Sequence, residues 1–235
     1  MAYPLPTSTP VIHADEETRS RFLVKVYQHL GLAVLAFIAI EAVLFAAGIA
    51  EGLYDFLARS GGVAWLLILG GFTIVNMIAS RSAHQLGNPT AQYGALFAMA
   101  GAEALIFAPF LYYVFNATDS GSATVVSAAI ITLVGFAALT VVAMTTRKDL
   151  SFLRPILLWG AIAAIGLIVV GVVFGFTLGP IFSLAMIALA GASILYQTQQ
   201  IIRQYPEWAY VGAAVGLFGS LMMMFWYVLR LLSRR

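Results

Sequence analysis

Two glutamates stand inside long apolar runs, and they are where chemistry could begin. Glu103 lies about 12 residues into a run from 92 to 115, and Glu41 about 19 residues into a run from 23 to 49. At about 1.5 Å per residue, Glu103 sits roughly 18 Å from the start of its run, well inside a hydrocarbon layer about 30 Å thick. An ionisable side chain at that depth costs about 2.5–3.5 kcal/mol on insertion scales, so it calls for a functional reading. Low dielectric favours the neutral carboxyl, a form that can exchange a proton or take up a cation. The bland alternative is a neutral Glu103 hydrogen-bonded to a neighbour such as Asn76 or Tyr112. Glu41, nearer the far surface, is expected to snorkel to the interface.

A second polar group gathers at the ends of the runs: Arg81, the stretch Arg147-Lys148-Asp149, and Gln197-Thr198-Gln199-Gln200. These residues would lie at similar depth and could line a vestibule, or they could be interfacial groups that set orientation. Other chemistries lack their residues. There is no cysteine, hence no thiolate nucleophile, disulfide or Cys-based metal site, and His13, His29 and His84 lack metal-ligand spacing. No GxSxG, Walker A or HExxH string occurs, and Gly70-Gly71 falls inside an apolar run. No catalytic, cofactor-binding or metal-binding residue is expected, and the chain reads as a non-enzyme. Met222, Met223 and Met224 read as gap-filling packing.

The elements that must position these groups are set by composition. Of 235 residues, 62% are hydrophobic and 9% charged, whereas soluble domains carry about 25% charged residues. The net charge of +2 is spread among connectors without interleaved aromatics, which argues against nucleic acid. Seven apolar stretches are long enough to cross a bilayer: about 23–49, 62–80, 92–115, 122–144, 154–175, 179–201 and 208–232. They are continuous and about twice the length of barrel strands, so the fold class is an all-α bundle of seven transmembrane helices. Gly61-Gly62, Gly87-Asn88-Pro89, Asp119-Ser120-Gly121, Gly179-Pro180 and Tyr205-Pro206 punctuate the spans. Residues 1–21 form a polar tail, and 22–235 one membrane domain. The first run is too long for a signal-peptide core and is expected to remain as a helix.

Lys and Arg counts in alternate connectors give eight on the side of the N-terminus and four on the other, predicting a cytoplasmic N-terminus. The C-terminal Arg230, Arg234 and Arg235 oppose a seventh full crossing, which leaves re-entry of the last segment as an alternative. Helices in lipid associate through small residues and interhelical hydrogen bonds. Gly171 and Gly175 in the fifth span, and Gly212, Gly216 and Ser220 in the seventh, are the candidate packing faces, and the latter stripe suits an interior helix.

The string Thr145-Thr146-Arg147-Lys148-Asp149-Leu150-Ser151-Phe152-Leu153 resembles the loop after the fourth span in the Bax inhibitor-1 family. Ile194-Leu195-Tyr196-Gln197-Thr198-Gln199-Gln200-Ile201-Ile202 is similar to that family's end of the sixth span. Asn88-Pro89-Thr90, leading into a span that contains Pro109, resembles its bacterial YccA-like branch. The resemblance runs from about residue 20 to the C-terminus. It implies a seventh helix wrapped by six others, a bacterial inner-membrane location, and one of two roles. YccA-like members bind and modulate the membrane protease FtsH; other members are pH-dependent calcium leak channels gated by an aspartate pair on the sixth and seventh helices with an arginine from the second. Those aspartates fall at Gln197 and about Ser220, and the arginine at Arg81; a further family carboxylate falls at Gly70. Two close carboxylates can share a proton and sense acidity, which Gln and Ser cannot. The FtsH role is therefore the leading expectation. A calcium or proton leak through Glu103, with Gln197, Ser220 and Arg81 at the closure and Glu41 as a further candidate, is the alternative.

Overall fold

The computed structural model describes residues 10–83, 85, 88–117 and 120–234. His84, Gly87, Asp119, Arg235 and the first nine residues of the expected tail lie outside them. Seven long helices follow in order: α1 (Glu16–Ala46), α2 (Ile49–Ala83), α3 (Pro89–Ala117), α4 (Gly121–Thr145), α5 (Leu153–Phe174), α6 (Pro180–Gln204) and α7 (Tyr210–Leu232). No strand occurs among the described residues, and all seven helices contain a stretch long and apolar enough to span a bilayer.

The surface identifies the solvent. Leu35, Leu67, Val134, Trp159, Val173 and Ile181 are each more than three-fifths exposed, and apolar exposure on that scale suits only lipid. The interior is built mainly by α3 and α7. Over its apolar stretch α7 is 72% buried, against 11% for α2 and for α5, and α7 packs against α1, α2, α3, α4 and α6. Rings fill the α3–α7 seam: Phe107 stacks on Phe225 at 5.4 Å and meets Trp226 edge-on at 5.0 Å.

Local chemistry moves two boundaries from their sequence positions. Helix α1 begins at Glu16, because Asp15 accepts a hydrogen bond from the Thr18 amide and Glu16 and Glu17 occupy the first turn, where negative charge complements the helix dipole. The expected tail is thus helical in its last turns. Before them, Val11–His13 form a 3-10 turn that packs on the bundle: Val11 is buried, and its amide donates to the Tyr205 carbonyl at 2.9 Å. The stretch between the first two spans is also helical. Gly48, at φ 71°, turns the chain out of α1, and α2 runs to a kink at Gly61, where φ 70° and ψ −170° favour glycine, before its spanning part begins at Ala64. On the turns before the kink, Tyr54 stacks against Tyr113 and Asp55 pairs with Arg59, so this piece reads as an interfacial helix.

The bundle has two distinct ends. At the amino end the Val11–His13 turn meets the α6–α7 connector, and His29 of α1 lies between the rings of Tyr93 of α3 and Tyr210 of α7, with Nε2 2.9 Å from the Tyr93 hydroxyl. At the carboxyl end Arg230 and Arg234 both donate to the carbonyl of Leu178, in the α5–α6 connector. Helix α7 therefore runs as one continuous helix from one end of the bundle to the other.

Candidate functional site

A cavity of about 800 Å³ lies between α2, α3, α5, α6 and α7. Near the carboxyl end α2 and α5 meet closely, where a Cβ on Gly62 would come within 2.7 Å of Val172, and deeper residues of both helices wall the space. One part of the wall is aromatic, with Trp65 stacked on Trp226 at 5.7 Å and Phe107 against Trp226. The polar part comes from Asn76 and Ser80 of α2, Glu103 of α3, Ser193 and Gln197 of α6 and Ser220 of α7. Arg230 lines the carboxyl-end rim.

Three of those groups form a closed cluster. Gln197 Nε2 donates to the hydroxyls of Ser193 and Ser220, each at 2.8 Å, and the two hydroxyls lie 2.9 Å apart. The Gln197 Oε1 is buried and has no hydrogen-bond partner among the described residues. It fits because Gly216 faces it: a Cβ at that position would stand 3.2 Å away. Glu103 is only 6% exposed, and its carboxyl makes no hydrogen bond or ion pair among the described residues. Neither neighbour expected to satisfy it bonds to it. Asn76 Oδ1 accepts from Ser80, and the Tyr112 ring packs on Phe45 and Tyr54.

The structure therefore brings Glu103, Gln197 and Ser220 into one cavity and leaves Arg81 and Glu41 out of it. Arg81 is exposed beyond Ser80 on the last turn of α2. Glu41 does not snorkel: it is 7% exposed and both carboxyl oxygens are buried without a partner among the described residues. A position five residues before the end of α1 is too far inside for a two-carbon side chain to reach the interface. Ser193 was missed in the sequence, although its place four residues before Gln197 puts both on one helix face.

The glycine faces also differ from expectation. Gly175 takes the left-handed conformation, φ 72°, and caps α5 through its amide to the Gly171 carbonyl. Gly171 is buried against its own connector, where a Cβ would meet the Phe176 carbonyl at 3.2 Å. The pair ends a helix rather than joining two. In α7, Gly212 is buried, whereas Gly216 opens onto the cavity.

The polar stretch at the amino end of the bundle does not form a vestibule with these groups. Gln199 Nε2 donates to the Lys148 carbonyl at 2.8 Å, and Gln199 Oε1 accepts from the Leu150 amide at 2.7 Å. Arg203 reaches the Arg147 carbonyl at 3.5 Å and pairs with Asp149 at 3.6 Å. Asp149 in turn accepts from the backbone and hydroxyl of Ser151, and these bonds, helped by Arg203, hold its carboxyl below the usual carboxylate range. The α4–α5 connector is clamped to α6, while the side chains of Arg147 and Lys148 stay exposed.

A family model described as "Inhibitor of apoptosis-promoting Bax1" matches residues 19–235. An uncharacterized protein of Pseudomonas aeruginosa is 31% identical over 130 residues, a stretch that covers 55% of this chain and 58% of that protein. The matched span is thus little more than half the length of that relative. Since the family model runs from Arg19 through every spanning stretch and every residue of the cavity described above, the chain belongs to the Bax inhibitor-1 family of membrane proteins.

Proposed function

We propose that the chain provides a pathway for protons or a small cation such as calcium through the membrane, without catalysis, and that Glu103 is the group that exchanges the ion. The observation that carries this reading is a deeply buried carboxyl with no partner among the described residues, facing a large cavity. Such a group is expensive to keep in a membrane unless something passes it. The Gln197–Ser193–Ser220 cluster would act as the closure toward the amino end, in the place where other family members carry aspartates. Arg81 stays outside this pathway. Purified protein in proteoliposomes should show calcium or proton flux that varies between roughly pH 5 and 8, and Glu103→Gln should flatten that dependence. A flux whose size and pH profile survive Glu103→Gln would remove Glu103 from the pathway.

A second reading, association with FtsH in membrane quality control, draws on Arg147 and Lys148, which are exposed on a connector held rigid by Gln199 and Arg203. A preordered charged surface suits a protein partner better than a loop that must first be ordered. The packing of Val11–His13 onto the α6–α7 connector shortens any free N-terminal handle for such a protease. Both readings place the chain in a bacterial inner membrane with its N-terminus in the cytoplasm, as the eight-to-four distribution of Lys and Arg favours. Affinity purification from native membranes should enrich FtsH over an unrelated seven-helix control, and equal recovery from both would count against the association.

A further inference from the structure

We propose that the cavity is a binding site for a lipophilic primary ammonium, with the charged nitrogen at Glu103 and the apolar body against Phe107, Trp226 and Trp65. The two ends of such a ligand find different walls at the right spacing. Phe107 follows Glu103 by four residues on α3, so the ring lies about 6 Å along the same helix face from the carboxyl. Phe107 stands edge-on to Trp226, and Trp226 stacks on Trp65, which makes a continuous aromatic surface beside the carboxyl. Aromatic faces attract organic cations, more strongly where water is excluded.

The polar groups have the matching deficit. A primary ammonium brings three donors and no acceptor. The cavity holds Glu103, whose carboxyl makes no bond among the described residues, and the unpartnered Gln197 Oε1. All of these oxygens can accept. Three of the cluster's four donor hydrogens are used internally: both Gln197 amide hydrogens go to Ser193 and Ser220, and one serine hydroxyl donates to the other. A calcium ion would need six to eight oxygens and would have to complete its shell with water; the ammonium needs only what the wall supplies. The cationic side chain on the lining, Arg230, is drawn to the Leu178 carbonyl at the rim. This binding does not require that the cavity conduct an inorganic ion, so it stands apart from the pathway reading.

The full chain in phosphatidylcholine vesicles should bind phenylbutylamine saturably, read by the fluorescence of its tryptophans, two of which form the aromatic wall. Its neutral analogue phenylbutanol should bind at least about tenfold more weakly. Glu103→Gln should erase that preference while leaving phenylbutanol binding intact, which shows that the cavity is still formed. Asp55→Asn, which removes a surface carboxyl, should preserve the preference and so exclude general attraction of amines to a charged membrane. Equal binding of amine and alcohol, or a preference that survives Glu103→Gln, would overturn the proposal. So would a phospholipid retained on the purified protein, seen by native mass spectrometry, that the amine does not displace. Calcium and proton flux, measured in the same vesicles without amine, reports on the pathway separately: flux without amine preference removes only the ammonium site, and amine preference without flux removes only the pathway.

Discussion

Gln197 and Gln199 stand two residues apart on α6, and they do opposite things with the same side chain. Gln199 is 3% exposed, and both ends of its amide are bonded to the backbone of the α4–α5 connector. Gln197 uses its nitrogen on Ser193 and Ser220 but leaves its oxygen unpaired beside a cavity. A two-residue step turns a helix face by about 200°, so one glutamine meets a loop while the other meets the interior. In a membrane, a fully bonded polar group holds the scaffold together; an unbonded one that faces open space marks where something else binds. Glu41 adds a third condition, in which a polar group is buried and unbonded with no place on the cavity wall.

Breaking the scaffold side of this contrast should have the largest effect. Gln199→Ala leaves the Leu150 amide and the Lys148 carbonyl without their partner, at about 1–3 kcal/mol for each group that stays dry. A loss of about 2–4 kcal/mol is expected, visible as a lower Tm in detergent. The cavity lies elsewhere on the helix, so the amine preference of the folded protein should remain. A Tm within error of the parent would mean that water replaces the clamp without cost.

Glu41→Met should move stability in the opposite direction. The substitution removes two buried acceptors that have no partner and keeps an unbranched side chain of similar length, so a gain of about 1–2 kcal/mol is expected. Glu41 is absent from the cavity wall, and flux should be unchanged. A fall in Tm would show that the carboxyl is satisfied by a group such as bound water. A change in flux would bring Glu41 back as part of the pathway.

Gln197→Met is the smaller stability test, because it removes the orphan oxygen together with the amide that made two bonds. Relief of the buried orphan oxygen offsets the loss of the two amide bonds, and the two serine hydroxyls keep each other as partners, so the net change should stay within about 1 kcal/mol. Its consequence should be functional: without the polar closure, flux and its pH profile should change although the fold does not. Unchanged flux would mean that the serine cluster is packing alone.

The parts of this arrangement that sequence makes legible are those that a single segment fixes. Seven spans can be counted because hydrocarbon demands long uninterrupted apolar runs, and Glu103 stands out because its depth follows from position alone. The start of α1 was harder to place, since the turn capped by Asp15 is polar and looks like tail. The helical turns before Gly61 look like connector for the same reason: an interfacial helix carries Glu51, Asp55 and Arg59 on its surface. Gly171 and Gly175 show a different limit, because the four-residue spacing of a packing face is also that of a glycine-capped helix end. The clamp and the cavity depend on segments about 50 and 100 residues apart in the chain, Gln199 with Lys148 and Leu150, and Glu103 with Gln197 and Ser220. No local pattern reports such meetings.

The smallest effect should come from Asp149, whose side chain lies exposed at the edge of the clamp. Ser151 and Arg203 hold its carboxyl below the usual range, so the folded chain binds this proton less readily than the unfolded chain does. A depressed value stabilises the fold above the ordinary aspartate range, near pH 4, and that contribution disappears as the pH falls through the folded value. Asp149→Asn should therefore lower Tm slightly at neutral pH and bring the variant and the parent together at about pH 3. Because solvent screens an exposed pair, the difference at neutral pH should also shrink in high salt. A gap that persists at acid pH would show that Asp149 supports the connector through shape or hydrogen bonding rather than charge. Gln199 would then hold the loop without electrostatic help, which sharpens its contrast with Gln197.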